Sequence, residues 1–178
     1  MAKTFIVAGG GTGGHLFPAL AIGAELKKRT DVNLHYVGSR FGMEAEKLPA
    51  MNVEFTLLPI RGLQRSISLE SLGRNALLPG RLLASKIKTN KLFKDLNPDA
   101  VIATGGYASA LPLHSAEKMN IPYFIQEQNS YPGITTRHFA ENAETVFTAF
   151  PEVENHVKKK TVFSPATLSG GTLLRGIA

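Results

Sequence analysis

The chain has 178 residues, 20 Lys and Arg against 14 Asp and Glu for a net charge of +6, and no cysteine. A hydrophobic content of 43% with 19% charged residues is that of a globular chain and excludes a disordered one; without cysteine there is neither a disulfide nor a thiolate metal site. No apolar run approaches the roughly 18 residues of a membrane span, and the run before the first glycines is too short for a signal-peptide core.

Residues 3–8 read as a first strand that runs straight into glycines. A helix is expected over 18–29, with Leu20, Ile22, Ala24 and Leu26 as apolar positions and Pro18 in its first turn. Strand two is 33–37, a short helix 42–48 and strand three 53–58. Residues 68–96 read as helical with a break at Leu78-Pro79-Gly80. Strand four is 100–103, followed by a helix over 108–118. Strand five, 123–126, is entered through Ile121-Pro122. A helix at 134–140 leads to strand six at 145–148. This alternation predicts an α/β fold, a Rossmann-like, doubly wound parallel sheet. Ligands of such sheets bind beyond the carboxyl ends of the strands. The loops after strands one, four and five therefore carry the candidate site.

The first loop, "GGGTGGH" at 9–15, suits an anion. Glycine lets backbone N–H groups approach a ligand closely, and the following helix directs its positive end at the same place. Gly9, Gly11 and Gly14 match G-x-G-x-x-G, but strand two leads into Tyr36-Val37-Gly38-Ser39-Arg40 without an acid for a ribose. Arg40 could meet a 2′-phosphate, which keeps an NADP-binding oxidoreductase domain open. A P-loop is excluded, because His15 stands where Lys is required. His15, at the helix start, is a candidate general base; a tight turn with an incidental histidine fits the same residues. "TGGYASALP" at 104–112 repeats the device after strand four, and "IQEQNSYPG" at 125–133 gathers Glu127, Gln128 and Asn129 at a strand end. Amides and carboxylates there suit a hydroxyl-rich ligand such as a sugar, and equally a solvated loop. The positive charge favours phosphates or acidic lipids; nucleic acid ranks last, because no nucleic-acid motif is present.

In this order the loops resemble the N-terminal half of the MurG family of bacterial glycosyltransferases. The matching stretches are "GGTGGHLFPALAI" (10–22), "GMEAEKLP" (42–49), "GLQRS" (62–66), "PDAVIATGGYAS" (98–109), "IPYFIQEQNSYPG" (121–133) and "FPEV" (150–153), within residues 3–160. The resemblance implies the N-terminal domain of a two-domain GT-B glycosyltransferase, on the acceptor and membrane side. It implies transfer of GlcNAc from UDP-GlcNAc to lipid I, giving lipid II for peptidoglycan synthesis, cell division and cell shape. The setting it implies is the cytoplasmic face of the bacterial inner membrane. Carried over, it makes His15 and Glu127 the catalytic candidates, with His15 as base or acceptor ligand. Thr12, Gly13 and Gly14 would lie at the donor–acceptor junction and Asn129 near the donor sugar. Gly105 and Gly106, with Tyr107 beside them, would hold the acceptor pyrophosphate. No cofactor and no metal are implied, and no D-x-D pair is present. Helix N-termini and backbone donors can stabilise phosphate charge themselves.

Residues 61–94 hold eight basic residues against the single acid Glu70, interleaved with leucines. Arg74, Leu77, Leu78, Arg81, Leu82 and Lys86 are therefore expected to meet an anionic membrane surface, each cation contributing about 1 kcal/mol close to it. A solvated basic helix with leucines in the core is the other reading. Family members continue into Gly-Asn-Pro-x-Arg after a seventh strand, whereas residues 161–178 here read "TVFSPATLSGGTLLRGIA". A domain over 1–160, an unassigned tail over 161–178 and no C-terminal donor-binding domain are expected. Such a half is expected to transfer little or nothing alone. The alternative is a non-catalytic, membrane-recruiting subunit of a split glycosyltransferase.

Overall fold

The computed structural model describes residues 2–62, 76–159 and 161–163. Its centre is a seven-stranded sheet in the order β3-β2-β1-β4-β5-β6-β7, built from β1 Lys3–Ala8, β2 Val32–Ser39, β3 Glu54–Leu58, β4 Ala100–Ala103, β5 Tyr123–Glu127, β6 Thr145–Thr148 and β7 Thr161–Phe163. Every pairing is parallel. The chain steps outward from β1 to β3, then returns to β4 on the other flank of β1. The crevice outside the carboxyl ends of β1 and β4 is thus the topological switch point. Strand β7 takes the sheet three residues past position 160; residues 164–178 lie outside the described residues.

Period-two alternation divides the side chains between two layers. Phe5, Val7, Ile102 and Phe147 pack with Leu16, Ala19, Ile22 and Leu26 of helix α1, Gly13–Arg29. Ile6, Ala8, Val101 and Ile125 pack on the opposite face. There they meet Phe93 of α3 (Leu78–Leu96), Leu113 and Ala116 of α4 (Ala110–Lys118) and Phe139 of α5 (Ile134–Phe139). The short helix α2, Glu44–Lys47, follows β2.

One expectation needs correction. Helix α1 starts at Gly13, so Pro18 lies in its second turn. It removes the N–H that would serve the Gly14 carbonyl. The buried stripe is Leu16, Ala19, Ile22 and Leu26, while Ala24 is exposed. Leu78-Pro79-Gly80 begins α3 after a turn at Leu77, and proline's missing N–H has no intrahelical partner to lose there; residues 68–75 of the expected helical stretch lie outside the described residues. Asn97 closes that helix in the left-handed conformation, ahead of Pro98.

Candidate active site

Four residues, Gly9–Thr12, turn the chain between the end of β1 and the start of helix α1. Thr12 is the N-cap with extended backbone and no side-chain capping bond, and the first turn holds no acid. The carbonyl of Thr12 accepts the N–H groups of His15 and Leu16. The N–H groups of Gly13 and Gly14, first in the helix, have no intrahelical acceptor and point outward. With the positive helix end behind them they form an anion-binding edge.

The Gly11 N–H is not part of that edge. It donates to both carboxylate oxygens of Glu44, at 3.0 and 2.9 Å. Glu44 is fully buried and also accepts the Ser39 N–H at 2.6 Å. The first loop is thus drawn onto the end of β2 by an internal carboxylate. A dinucleotide pyrophosphate would need an amide that this carboxylate already holds. Arg40, exposed, ties its own N–H to the Leu58 carbonyl.

The second loop meets the first at close range. Gly106 has φ +77°, and a Cβ there would run into the Gly10 carbonyl, so only glycine lets the loops touch. Gly105, φ +92°, passes beneath the His15 ring, and the Tyr107 ring lies against Gly11, itself at φ +91°. Thr104, wholly buried, donates its Oγ1–H to the His15 carbonyl at 2.7 Å. Its own carbonyl lies 2.9 Å from His15 Nδ1. A carbonyl only accepts, so Nδ1 carries a proton. The Gln128 amide nitrogen lies 2.6 Å from the same Nδ1, and its Oε1 has no partner. Turning the amide over brings that oxygen to the same proton, which it shares with the Thr104 carbonyl. In the neutral ring the free lone pair is then on Nε2, as a base requires.

Glu127 ends β5 and is 1% exposed. Its Oε1 accepts the Asn129 N–H at 3.0 Å and Asn129 Nδ2–H at 2.9 Å; its Oε2 accepts the Gly133 N–H at 3.1 Å and the Thr136 hydroxyl at 2.7 Å. Four donors saturate the carboxylate, which braces the 128–133 loop and offers no free oxygen to a reacting group. Asn129 is exposed, and its Nδ2 is engaged with Glu127. His15, Thr12, Gly13, Gly14, Gly105, Gly106, Tyr107, Glu127 and Asn129 all lie on the three loops at the carboxyl edge of the sheet. Gln128, named with the third loop, acts with them, as do Glu44 and Thr104, which the motif reading did not single out. An acid two residues after Gly42, in a chain whose first loop is mostly glycine, was the available signal for Glu44.

From residue 77 on, the basic segment lies on α3 and the residue before it. Leu77, Leu82, Leu83 and Ile87 are 56%, 50%, 61% and 61% exposed, and Lys86 is exposed. Leu78 is half-buried. Arg81 is half-buried with its guanidinium 4.9 Å from the centre of the Phe41 ring, and Lys88 donates to the Leu57 carbonyl at 2.9 Å. Arg74 and most of "GLQRS" lie outside the described residues. Among the described residues no helix is long and apolar enough to cross a membrane, and no three His, Asp or Glu side chains are grouped to hold a metal.

This sheet, with its glycine-lined switch point, is the Rossmann-like N-terminal domain of a GT-B glycosyltransferase. The chain belongs to glycosyltransferase family 28: the family's N-terminal domain matches residues 5–148. It is 42% identical over 156 residues to the UDP-N-acetylglucosamine–N-acetylmuramyl-(pentapeptide) pyrophosphoryl-undecaprenol N-acetylglucosamine transferase of Flavobacterium psychrophilum, covering 87% of this chain and 41% of that protein. The identity to the transferase of the same name from Chlorobaculum tepidum is also 42%, over 83% of this chain and 41% of that protein. The crystal structure of Acinetobacter baumannii MurG superposes with a TM-score of 0.73 at 27% identity, over 92% of this chain and 46% of that one. A UDP-GlcNAc 2-epimerase from Methanocaldococcus jannaschii shares the fold at a TM-score of 0.56 and 15% identity, over 88% of this chain and 41% of that one. The chain thus spans about two fifths of the length of the curated relatives it matches.

Proposed function

We propose that this chain is the acceptor-side half of an enzyme that transfers GlcNAc from UDP-GlcNAc to lipid I. The observation that carries the reading is the convergence of three loops on one histidine: Thr104 and Gln128 meet His15 at Nδ1, leaving Nε2 to take a proton from the acceptor hydroxyl. Gly13 and Gly14 present the N–H groups for a phosphate of the bound substrates, with Gly105 and Gly106 shaping the floor and Tyr107 one wall. Asn129 faces the donor sugar. Glu127, saturated by four donors, positions Asn129 and moves no proton. Departure of UDP is eased by electrostatic stabilisation from helix ends and backbone donors.

The same half binds the inner-membrane surface peripherally, on its cytoplasmic face. Leu77, Leu82, Leu83 and Ile87 supply the apolar contact and Lys86 a cation; Arg81 stacks on Phe41 and contributes less than its charge suggests. Co-sedimentation with anionic vesicles tests the reading. Vesicles carrying a lipid I analogue should retain more protein than plain ones, and Gly105→Val, which drives a side chain into His15, should abolish the increment. Retention indifferent to the analogue would overturn the reading.

A further inference from the structure

The anion-binding edge of α1 has an apolar wall that the transfer chemistry does not use. Phe17 is 56% exposed and Met43 39%, large apolar side chains left in solvent at the mouth of the site. Phe17 stands one helical turn after Gly13, and helical side chains lean toward the N-terminus, which brings its ring back over the first turn. A Cβ built on Gly13 would lie 3.0 Å from Phe17 Cε2 and 3.5 Å from Met43 Sδ, so ring, thioether and the Gly13 backbone meet at one point. Two residues before Met43, the Phe41 ring carries the guanidinium of Arg61 at 4.3 Å and that of Arg81 at 4.9 Å. Arg81 belongs to α3, whose outer face carries the exposed leucines. An apolar strip with two cations at its far end thus runs from the phosphate edge to the helix that meets the membrane.

We propose that Phe17 and Met43 form a subsite for the alkyl chain next to the pyrophosphate of an isoprenoid-diphosphate ligand. This rests on the reading of the chain as an acceptor-binding half. The chemistry matches on both sides of the ligand's junction. The diphosphate meets free N–H groups, with no acid in the first turn; the first isoprene units meet an aromatic ring and an adaptable thioether. A purely soluble phosphate ligand would leave Phe17 and Met43 exposed without gain.

Calorimetric titration of this chain with inorganic pyrophosphate and with farnesyl diphosphate tests the subsite. Farnesyl diphosphate should bind the parent chain at least about tenfold more tightly, since burying even a few methylenes supplies that factor. In the double variant Phe17→Ser with Met43→Ser the advantage should shrink to about twofold or less, with pyrophosphate affinity kept; Phe17→Leu with Met43→Leu should restore most of it. If the serine double variant loses pyrophosphate binding as well, each single serine variant is titrated and the same criterion decides. An advantage that survives the serine substitutions would overturn the subsite and move the chain to the α3 face. Pyrophosphate binding without any farnesyl advantage would also overturn it, and would assign Phe17 and Met43 to contact with further polypeptide. If neither diphosphate binds the parent chain, the acceptor-half reading itself fails, and the subsite with it.

Discussion

Thr104 holds His15 at both ends: its hydroxyl donates to the His15 carbonyl at 2.7 Å, and its carbonyl faces His15 Nδ1 at 2.9 Å. One buried residue of β4's loop therefore sets both the position of the first turn of α1 and the tautomer of its histidine. Thr104→Val keeps the shape and the carbonyl but removes the hydroxyl. It should lower unfolding free energy by about 1 kcal/mol in urea denaturation, while Thr104→Ser stays near the parent value.

Glu44 is the other internal clamp. Glu44→Ala would leave the Gly11 and Ser39 N–H groups without their acceptor in a buried place. The expected loss is about 3 kcal/mol, read as a drop in thermal midpoint. Glu46→Ala, one turn position away with its side chain 83% exposed, is the control and should change stability by less than about 0.5 kcal/mol.

Two glycines should respond to alanine in opposite directions. At Gly106 the positive φ and the Gly10 carbonyl both oppose a methyl group, and Gly106→Ala should destabilise by about 2 kcal/mol. At Gly80, early in α3, a Cβ meets nothing within 4 Å, and Gly80→Ala should stabilise by about 0.5 kcal/mol. Chemical denaturation of the two variants side by side reads both signs.

The exposed face of α3 should be dispensable for folding and needed at a membrane. Replacing Leu82, Leu83 and Ile87 by Ser should leave the urea midpoint nearly unchanged, because these side chains are in solvent already. Partitioning onto anionic vesicles should fall at least about tenfold, and what remains should weaken with added salt.

His35 gives the fold a mild acid sensitivity. Burial holds its pKa below the ordinary 6.5, opposed by the nearby Glu54 carboxylate, and its Nε2 lies 2.9 Å from Thr56 Oγ1. The unfolded chain therefore takes up the proton first. Stability from this residue is complete above about pH 6.5, falls as the pH drops below it, and levels off below the folded pKa. In urea unfolding at about pH 7.5 and about pH 5, His35→Gln should reduce the difference between the two midpoints.

Alternation of apolar and helix-forming segments, readable along the chain, determined the parallel sheet, because strand and helix periodicities are local properties. Strands 100–103 and 145–148 lie where that pattern places them, and the loops after strands one, four and five are the ones that converge. The start of α1 was less legible: glycines are poor helix formers, so Gly13 and Gly14 read as loop, yet the clamp from Thr104 and the Thr12 cap make them the first turn. Leu78-Pro79-Gly80 reads as a break, and α3 begins there and packs Phe93 on the sheet. Glu44 and Thr104 carry no motif of their own. Their roles exist because the turns after β1, β2 and β4 come within hydrogen-bond reach of each other in space. Glu127 is the reverse case: a carboxylate in a polar loop reads as chemistry, and four donors brought from Asn129, Gly133 and Thr136 turn it into a brace. Local sequence thus determined which loops matter. The tertiary structure decided which side chains within them are free to act, because a polar group's availability depends on the partners that folding brings to it.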